Sequence, residues 1–344
     1  MAQAVAEFGS GRHHHTSGLY PLDSASAMTR MKTSTPNAHI KVLSWNILDD
    51  EYCMNSNCFE ILDKGESLDV CHWQNRLPLI VRELEESQAD VILLQEVSPH
   101  MFADLRGALQ PLGYEGICDG EVWTTATFWH QNWRLESWKN IAEEPPHLHH
   151  RLVGKQEACP QSSKYFFRTL GVAFRDAQGQ CLLCINLHTD WRDGVQVRQQ
   201  QVHRALQVGL EVCSELGWRD VPTVLAGDFN QDTKDLGFIA EEPGSLEDAY
   251  GDVNNSITSN TAEPADEEAR FTYASSLDPN SNKQCIDTIF HSKHLRCTGV
   301  LVKARDTFMT GSCVMPNTRF PSDHLPVASE FEIVRSTDGA IVCA

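Results

Sequence analysis

Positive charge is scarce in this sequence compared with negative charge. Its 344 residues include 28 Lys and Arg against 47 Asp and Glu, for a formal net charge of −19. A protein that grips nucleic acid over a broad surface needs clustered Lys and Arg, so the composition argues against that class. It leaves open an enzyme whose acidic site holds divalent cations, because the cations then contact the phosphates.

Long apolar runs are also missing. No stretch approaches the roughly 20 apolar residues of a membrane span, and no apolar segment of a signal peptide stands near the first residues. We therefore expect an intracellular, cytoplasmic protein without membrane contact. Residues 1–38 are rich in Ser, Thr, Ala and Gly and read as a disordered leader, for which organelle targeting stays open. We expect one domain over 39–335 and a tail over 336–344.

The cysteines lack the dense framework of a small disulfide-stabilised domain. Twelve are scattered along the chain. Cys181 and Cys184 form a C-x-x-C motif inside an apolar run, where side chains three residues apart point to opposite faces of a strand. This argues against a shared zinc ion and favours reduced thiols.

Apolar runs and helical periodicities alternate along the chain and predict a mixed α/β architecture. The predicted strands are 40–45, 91–94, 171–174, 182–187, 222–226, 285–290 and 327–333, with further strands within 120–140. Helices are predicted from Leu77, with Pro78 in the first turn, from Pro99, with Ser98 as cap, and over about 195–215. Residues 141–165 read as a surface insertion, and 231–282 as mostly polar loop.

Polar side chains recur at the ends of these strands. The run 222–226 stops abruptly at Gly227-Asp-Phe-Asn230, which offers a carboxylate and an amide two residues apart. The residues just past the end of an apolar strand are Asn46, Glu96, His188, Asp228 and Asn230. Asp287 lies within a strand, and Asp323 and His324 lie just before one. Singly, each fits an ordinary turn or loop. Their repetition indicates one site where strand ends and loops converge.

Hydrolysis of a phosphoester with a hard divalent cation is the chemistry that these residue types share. Mg²⁺ prefers carboxylate and amide oxygens, so Glu96 is the expected main ligand, with Asn46 and Asp323 near it. Mn²⁺ is an alternative ion, whereas zinc would need more His or Cys ligands. Asp228 and Asn230 can orient a water molecule and hold a second metal or the phosphate.

The two histidines suit phosphate better than metal. A charged imidazole near the scissile phosphate offsets the charge of the transition state. Pairing of Asp287 with His324 would fix one tautomer of that ring and favour its protonated form. A Ser/His/Asp hydrolase is the competing interpretation of this pair, but the sequence has no G-x-S-x-G motif for its nucleophile.

Six short motifs, taken in order, resemble the endonuclease/exonuclease/phosphatase superfamily of DNase I-like nucleases. They are Ser44-Trp-Asn46, Leu94-Gln-Glu96, Asn186-Leu-His188, Gly227-Asp-Phe-Asn230, Ile286-Asp-Thr-Ile-Phe290 and Ser322-Asp-His-Leu-Pro326. The resemblance implies two mixed β-sheets packed as a sandwich and flanked by helices, with a Mg²⁺-dependent phosphoesterase site. It also implies that Asn46, Glu96 and Asp323 form the metal shell, and that His188, Asp228, Asn230, Asp287 and His324 are the catalytic residues.

The details are most similar to the Ccr4-like deadenylase and nocturnin branch. The residues in question are Trp45-Asn-Ile-Leu48, Tyr52, Trp73-x-x-Arg76, Gln95-Glu-Val97, Gly113-Tyr-Glu-Gly116, Thr125-Ala-Thr-Phe-Trp129, Leu246-Glu-Asp-Ala-Tyr250 and Phe271-Thr272. Gln231 departs from the serine usual there, and the leucine-rich repeats that dock some members to a larger complex are absent. The resemblance implies a 3′–5′ exoribonuclease of deadenylase type acting on single-stranded RNA, with no other cofactor than the metal.

Three alternatives stay open at this point. The tyrosyl-DNA phosphodiesterase branch shares Gln-Glu-Val, Ser-Asp-His and a pattern like His188 to Arg198-Gln-Gln-Gln201. A phosphatase acting on small nucleotides or phosphoinositides would have the same fold, although no Lys- and Arg-rich loop favours phosphoinositides. A catalytically inactive binding module is a different class, and the complete set of motifs argues against it.

Overall fold

Two β-sheets packed face to face form the centre of the fold. The computed structural model describes residues 19–21, 39–54, 67–120, 124–141, 167–192, 194–241, 245–251, 272–274, 283–301 and 315–334. The strands in this part of the chain are β1 (Leu19–Pro21), β2 (His39–Asn46), β3 (Val91–Val97), β4 (Tyr114–Cys118), β5 (Thr124–His130), β6 (Trp133–Asn140), β7 (Arg168–Asp176), β8 (Cys181–His188), β9 (Thr223–Asp228), β10 (Leu246–Asp248), β11 (Tyr273–Ala274), β12 (Lys283–Gln284), β13 (Asp287–Ser292), β14 (Leu295–Leu301) and β15 (Val327–Ile333).

Three helices cover the outer faces of the two sheets, namely α2 (Trp73–Ser87), α3 (Pro99–Leu109) and α4 (Val195–Glu215). The described residues also include the short helix α1 (Asp50–Tyr52) and 3₁₀ helices at Leu68–Cys71, Gln110–Leu112 and Thr233–Glu241. The first sheet has the strand order β1-β14-β15-β2-β3-β5-β4, the second β10-β13-β9-β8-β7-β6, and β11 pairs with β12. None of the helices in the described ranges has the length and apolar character that a membrane crossing requires.

The alternation of side chains along the strands divides the core into layers. Val42, Leu93, Val172 and Val224 face the space between the sheets and belong to one buried cluster. Their neighbours in the sequence point outward, against α2 and α3 on the first sheet and against α4 on the second. This is the predicted fold class, a mixed β-sandwich flanked by helices.

The prediction that the second helix begins at Leu77 is wrong. The helix α2 begins four residues earlier, at Trp73, so Pro78 lies inside it rather than in its first turn. Trp73 packs in the core and its indole Nε1 donates to Asp104 Oδ2 at 2.8 Å. Arg76 is buried as well. These tertiary contacts outweigh the loss of one backbone hydrogen bond at the proline.

Some sequence predictions differ from the structure or fall outside the described residues. Leu19–Pro21, within the leader predicted to be disordered, pair with β14 as an antiparallel edge strand. The stretch predicted as polar loop contains a 3₁₀ helix at Thr233–Glu241. Most of the insertion predicted over 141–165 and the tail 336–344 lie outside the described residues.

Among the cysteines in the described ranges, all but one are free thiols, as predicted. Cys184 is free and buried, as are Cys53, Cys71 and Cys213. Cys181 is disulfide-bonded, so the interpretation of reduced thiols is wrong for this residue. Cys181 and Cys184 belong to different buried clusters on the two faces of β8, because side chains three apart on a strand diverge.

Candidate active site

Two parallel strand pairs, one in each sheet, end at the same edge of the sandwich. In the first sheet β2 and β3 run in parallel, and Asn46 lies opposite Gln95. In the second sheet β8 and β9 run in parallel, and His188 lies opposite Asp228. Each pair is joined through a helix, α2 or α4, since parallel strands need such a crossover. The polar residues that follow the apolar runs therefore meet at one place.

A β-bulge presents Glu96 at this edge. The pairing of β3 with β5 shifts register between Leu94 and Val97, so that an extra residue stands on β3. Glu96 adopts a φ of 57°, in the left-handed region that non-glycine residues rarely occupy. Its Oε1 accepts from Asn46 Nδ2 at 2.8 Å, and its Oε2 accepts from the Asp49 backbone N–H at 2.9 Å. The carboxylate is thus held in one position at the pocket.

The amide of Asn46 connects carboxylates from both sheets. Its Nδ2 donates to Glu96 Oε1 and, at 3.0 Å, to Asp228 Oδ2. Its Oδ1 accepts from the Leu48 backbone N–H at 3.0 Å. The nitrogen rather than the oxygen faces the carboxylates, so the predicted role of Asn46 as an oxygen ligand needs the opposite orientation of this amide.

Asp228 lies at the centre of the site. Its Oδ2 is 3.6 Å from His188 Nε2 and 3.7 Å from His324 Nε2, and its Oδ1 accepts from the Asn230 N–H at 2.8 Å. Asn230, with a φ of 45°, donates from Nδ2 to the Thr189 carbonyl at 2.8 Å. The two residues of the Gly-Asp-Phe-Asn motif therefore both stand at the pocket.

Gly227 makes this approach of β9 to β8 possible. A Cβ at this position would lie 1.8 Å from the Leu187 carbonyl oxygen, and the φ of Gly227 is 153°. A side chain would push the two strands apart. The separation between His188 and Asp228, which lie opposite each other one residue further on, depends on this contact.

The predicted pairing of Asp287 with His324 is present. His324 Nδ1 and Asp287 Oδ2 are 2.9 Å apart, and both side chains are buried. Burial alone would lower the pKa of His324, but the carboxylates of Asp287, Asp228 and Asp323 outweigh it and raise that pKa to about 10. The ring is therefore an imidazolium at neutral pH, and its Nε2 points towards Asp228.

Asp323 lies next to His324 on the loop that precedes β15. It is buried and lines the pocket together with Glu96. Burial raises the pKa of Asp323 to about 6, and Glu96 adds to this effect against the opposing influence of His324. The carboxylates of this site therefore repel one another where no cation lies among them.

All eight predicted site residues are brought together around one pocket of about 490 Å³. Six line it directly, namely Glu96, His188, Asp228, Asn230, Asp323 and His324. The other two, Asn46 and Asp287, hold lining residues through the hydrogen bonds described above. Their roles in catalysis and in metal binding stay predictions.

The donor atoms at this pocket fit a divalent cation. One ligand atom each from Glu96, His188 and Asp228 lies within 4.8 Å of the others, and the same holds for Asp228, Asp287 and His324. Because His324 is charged and bonded to Asp287, it is a poor metal ligand, and of these two groups the first contains Glu96, the predicted main ligand. The carboxylate oxygens of Glu96 and Asp228, with Asp323 nearby, suit a hard ion better than zinc.

Sequence reasoning missed two residues that shape the site. Arg76 is buried and clamps three backbone carbonyls, those of Ile47, Leu48 and Pro321, at distances of 2.6–3.0 Å. Asp49 lines the pocket, caps α1 and has a pKa that burial, with Glu96, raises to about 6. Arg76 belongs to the Trp73-x-x-Arg76 motif, but an isolated arginine in a helix gives no sign of burial.

Comparisons with known proteins identify a matching family and several relatives. The model of the Endonuclease/Exonuclease/phosphatase family matches residues 43–324. Human nocturnin is 24% identical over 335 residues, which cover 90% of this chain and 69% of nocturnin. The CCR4-Not complex 3′-5′-exoribonuclease subunit Ccr4 of Mycosarcoma maydis is 25% identical, over 87% of this chain and 51% of that protein. The chain therefore spans between half and about two thirds of these relatives.

A solved structure shares the fold. The crystal structure of ANGEL2, described as a 2′,3′-cyclic phosphatase, in complex with adenosine-2′,3′-vanadate superimposes with a TM-score of 0.66. The two chains are 19% identical, and the match covers 86% of this chain and 96% of the other. At this identity the likeness concerns the fold.

Proposed function

This chain belongs to the Endonuclease/Exonuclease/phosphatase family, hydrolases of phosphoester bonds, and from that premise we propose that it is a Mg²⁺-dependent phosphodiesterase that shortens single-stranded RNA from its 3′ end. One observation carries the proposal. Carboxylates, among them Glu96 and Asp323, line a single pocket together with the imidazolium of His324, whose Nε2 lies 3.7 Å from Asp228 Oδ2. A cation and a phosphate group can be bound there together.

The anionic side of the pocket would hold the metal. Glu96 and Asp323 are the proposed anionic ligands, with Asn46 orienting Glu96 through its amide. A bound Mg²⁺ would neutralise charge on the phosphate oxygens and so favour attack at phosphorus. Mn²⁺ accepts the same oxygen ligands and is expected to substitute for it.

The other residues of the pocket would position the reacting groups. The carboxylate of Asp228 is held by Asn46 Nδ2 and by the Asn230 N–H, so it can accept a proton from an attacking water molecule. The His324 imidazolium donates towards the phosphate and offsets the charge that develops there. His188 Nε2 lies between Glu96 and Asp228, at 3.9 and 3.6 Å, where it can contact a phosphate oxygen.

Trp191 is the proposed platform for a base of the RNA. It lines the mouth of the pocket and is 54% exposed, which is unusual for a tryptophan. The residues on either side of Trp191 are bonded to each other, because the buried carboxylate of Asp190 accepts from the backbone N–H and the guanidinium of Arg192. Stacking on an indole suits any unpaired base and needs no basic surface, in agreement with the net charge of −19.

A panel of labelled substrates tests the proposal. Purified protein with Mg²⁺ is incubated with 5′-labelled oligo(A), oligo(U), duplex DNA, a 5′-tyrosyl oligonucleotide, an oligonucleotide with a 2′,3′-cyclic phosphate end, and nicotinamide dinucleotide phosphate. We expect a ladder that shortens from the 3′ end of oligo(A), and no products in EDTA. Release of tyrosine alone, of phosphate from the dinucleotide alone, or opening of the cyclic phosphate alone would contradict the deadenylase activity while leaving a phosphoesterase.

The role of Trp191 has its own control. Trp191→Ala should raise KM for oligo(A) about fivefold or more, since stacking of one base contributes about 1–3 kcal/mol. Trp138 is 40% exposed on β6, and it does not line the pocket, so Trp138→Ala should leave KM unchanged. Equal KM values for both variants would contradict the platform. Failure of the wild-type protein to cleave any substrate with Mg²⁺ or Mn²⁺ would favour a binding module.

A further inference from the structure

A buried amide from the second sheet reaches the bulge of the first sheet. Asn186 lies on β8, two residues before His188, and is completely buried between the sheets. Its Nδ2 donates to the Leu94 carbonyl at 3.0 Å and to the Ala126 carbonyl at 3.0 Å. Leu94 and Ala126 are the last regular pair of β3 with β5 before the register shifts.

The residue that begins the bulge returns this contact. Gln95 donates from Nε2 to Asn186 Oδ1 at 2.8 Å, and also to Ser44 Oγ at 3.2 Å and to the Leu93 carbonyl at 3.1 Å. Gln95 and Ser44 are both fully buried. The three side chains thus form a buried polar network beside the residue that precedes Glu96, in which each lost bond leaves an unsatisfied group; Gln95 Oε1 already has no partner among the described residues.

This network explains how an unfavourable backbone conformation persists at the site. A bulge interrupts the ladder, so carbonyls beside it need other donors. Asn186 supplies two such donors from the opposite sheet. Glu96, the next residue after Gln95, then stays in the left-handed region with its carboxylate towards the pocket.

We propose that Asn186 is a positioning residue for Glu96: it locks the bulge of β3 against β8 and thereby fixes the carboxylate that binds the metal. The inference rests on the proposed function in that Glu96 is taken as a metal ligand. Asn186 itself is not among the residues that line the pocket. Asn186 also links the two sheets at the site, because its side chain bonds to strands of the first sheet and His188 lies two residues after it on β8 of the second sheet.

The test measures metal binding without substrate. Asn186→Leu keeps the size of the side chain and removes both donated bonds, so the bulge is expected to relax. Mn²⁺ binding, followed by the electron paramagnetic resonance of the free ion, should weaken by about tenfold or more, as is typical when a residue supporting a ligand is lost. With oligo(A), kcat should fall while KM stays close to the wild-type value, because the base contacts are unchanged.

A neighbouring residue supplies the matched control. Thr169 is equally buried and donates from Oγ1 to the Asn186 backbone carbonyl at 3.0 Å, on the side of β7. Thr169→Val removes one buried hydrogen bond from the same region without touching the bulge. It should lower the melting temperature of the metal-free protein but leave Mn²⁺ affinity unchanged.

The outcomes separate this inference from the proposed function. Wild-type Mn²⁺ affinity in Asn186→Leu, or equal weakening in both variants, would show that Asn186 only packs the core. Absence of Mn²⁺ binding by the wild-type protein would overturn the metal site and the inference with it. If Asn186→Leu does not fold, Asn186→Asp preserves the shape and at most one of the two donated bonds, and the same comparison applies.

Discussion

At the scale of single residues, the position of Glu96 is the most consequential feature of the site. Its carboxylate accepts from Asn46 and from the Asp49 backbone, and it lies beside the carboxylates of Asp228 and Asp323. Such a concentration of negative charge is unfavourable without a cation. The charge that costs stability in the metal-free protein is therefore the charge that would bind the metal.

The first prediction concerns this residue. Glu96→Ala should weaken Mg²⁺ binding and lower kcat by more than about 100-fold. Loss of a residue that only supports a metal ligand usually costs about 100-fold at most, so a larger loss indicates a ligand. The metal-free variant should fold normally and melt at the same or a higher temperature, because repulsion is relieved. Calorimetric Mg²⁺ titration and thermal melting are the measurements, with Glu115→Ala on the exposed side of β4 as control. Activity retained in EDTA would contradict the metal mechanism.

The second prediction concerns the pair of Asp287 and His324. Asp287→Asn removes a carboxylate that raises the pKa of His324, so this pKa should fall from about 10 towards its ordinary value. The imidazolium is then lost at lower pH, and the alkaline limb of the kcat profile should move down by about one unit or more. Turnover should fall strongly while metal affinity changes little.

Asp248→Asn is the control for that experiment. Asp248 lies on β10, next to the strand that carries Asp287, and accepts from Thr288 Oγ1 rather than from a histidine. Its replacement should leave the pH profile in place. Superimposable profiles of the wild type and Asp287→Asn would show that Asp287 is a structural residue.

At the scale of secondary-structure elements, the site is built by two β-α-β units that occupy equivalent places in the two sheets. The unit β2-α2-β3 ends at Asn46 and Glu96, and the unit β8-α4-β9 ends at His188 and Asp228. No repeat is visible in the sequence. The equivalence comes from the topology, in which each parallel pair directs its carboxyl ends towards the pocket.

Helix α2 contributes more than its apolar face. The guanidinium of Arg76 donates from Nη1 to the Ile47 and Pro321 carbonyls and from Nη2 to the Leu48 carbonyl. Ile47 and Leu48 directly follow Asn46 in the chain, and Pro321 lies two residues before Asp323. A single side chain therefore holds together the loops that carry two of the predicted metal ligands.

The third prediction follows from that clamp. Arg76→Met fills the space but leaves three buried carbonyls without their donor, and should lower the free energy of unfolding by several kcal/mol, at about 1–3 kcal/mol for each unsatisfied group. Mg²⁺ affinity should fall with it. Arg82→Met, on the exposed face of the same helix, should change neither quantity. Chemical denaturation with and without Mg²⁺ measures both, and equal stability of the two variants would contradict the clamp.

At the scale of the whole molecule, net negative charge and a buried acidic site act in the same direction. Burial raises the pKa values of Asp49, Asp119 and Asp323 to about 6. A carboxyl group whose pKa is higher in the folded than in the unfolded state favours folding when it is protonated. The contribution of these groups is therefore lost as the pH rises from about 4 to above 6.

His324 acts in the same sense over a higher range. Its folded pKa of about 10 exceeds the ordinary value of 6.5, so the stability that it contributes is complete below about pH 6.5 and is lost as the pH rises towards 10. Repulsion among the surface carboxylates of a chain with a net charge of −19 adds to both effects.

The fourth prediction is that the metal-free protein becomes less stable with rising pH. Its melting temperature should be lower at pH 8.5 than at pH 5.5, by on the order of 5 °C. Saturating Mg²⁺ should reduce this difference, because the ion stabilises ionised Asp323 and Glu96 in the folded state. Differential scanning calorimetry at both pH values, with EDTA or Mg²⁺, is the measurement. A metal-free protein that is more stable at pH 8.5 would contradict the pKa assignments.

The sequence by itself determined the fold class and the members of the site. Apolar runs that end in polar residues, as at Glu96, His188 and Asp228, follow from the chemistry of a strand that is buried along its length and reaches a polar pocket at its end. The six motifs kept their order along the chain, and the family match over residues 43–324 agrees with them. Local chemistry was sufficient here because each motif lies within a few consecutive residues.

Only the tertiary structure decided how those residues are held. Arg76 and Pro321 are 245 residues apart, and Asn186 and Leu94 are 92 apart, so neither contact leaves a local pattern. The start of α2 at Trp73, four residues before the predicted position, likewise depends on a distant partner, Asp104. Buried hydrogen bonds of this kind form only after the two sheets pack, since in the unfolded chain water satisfies the same groups.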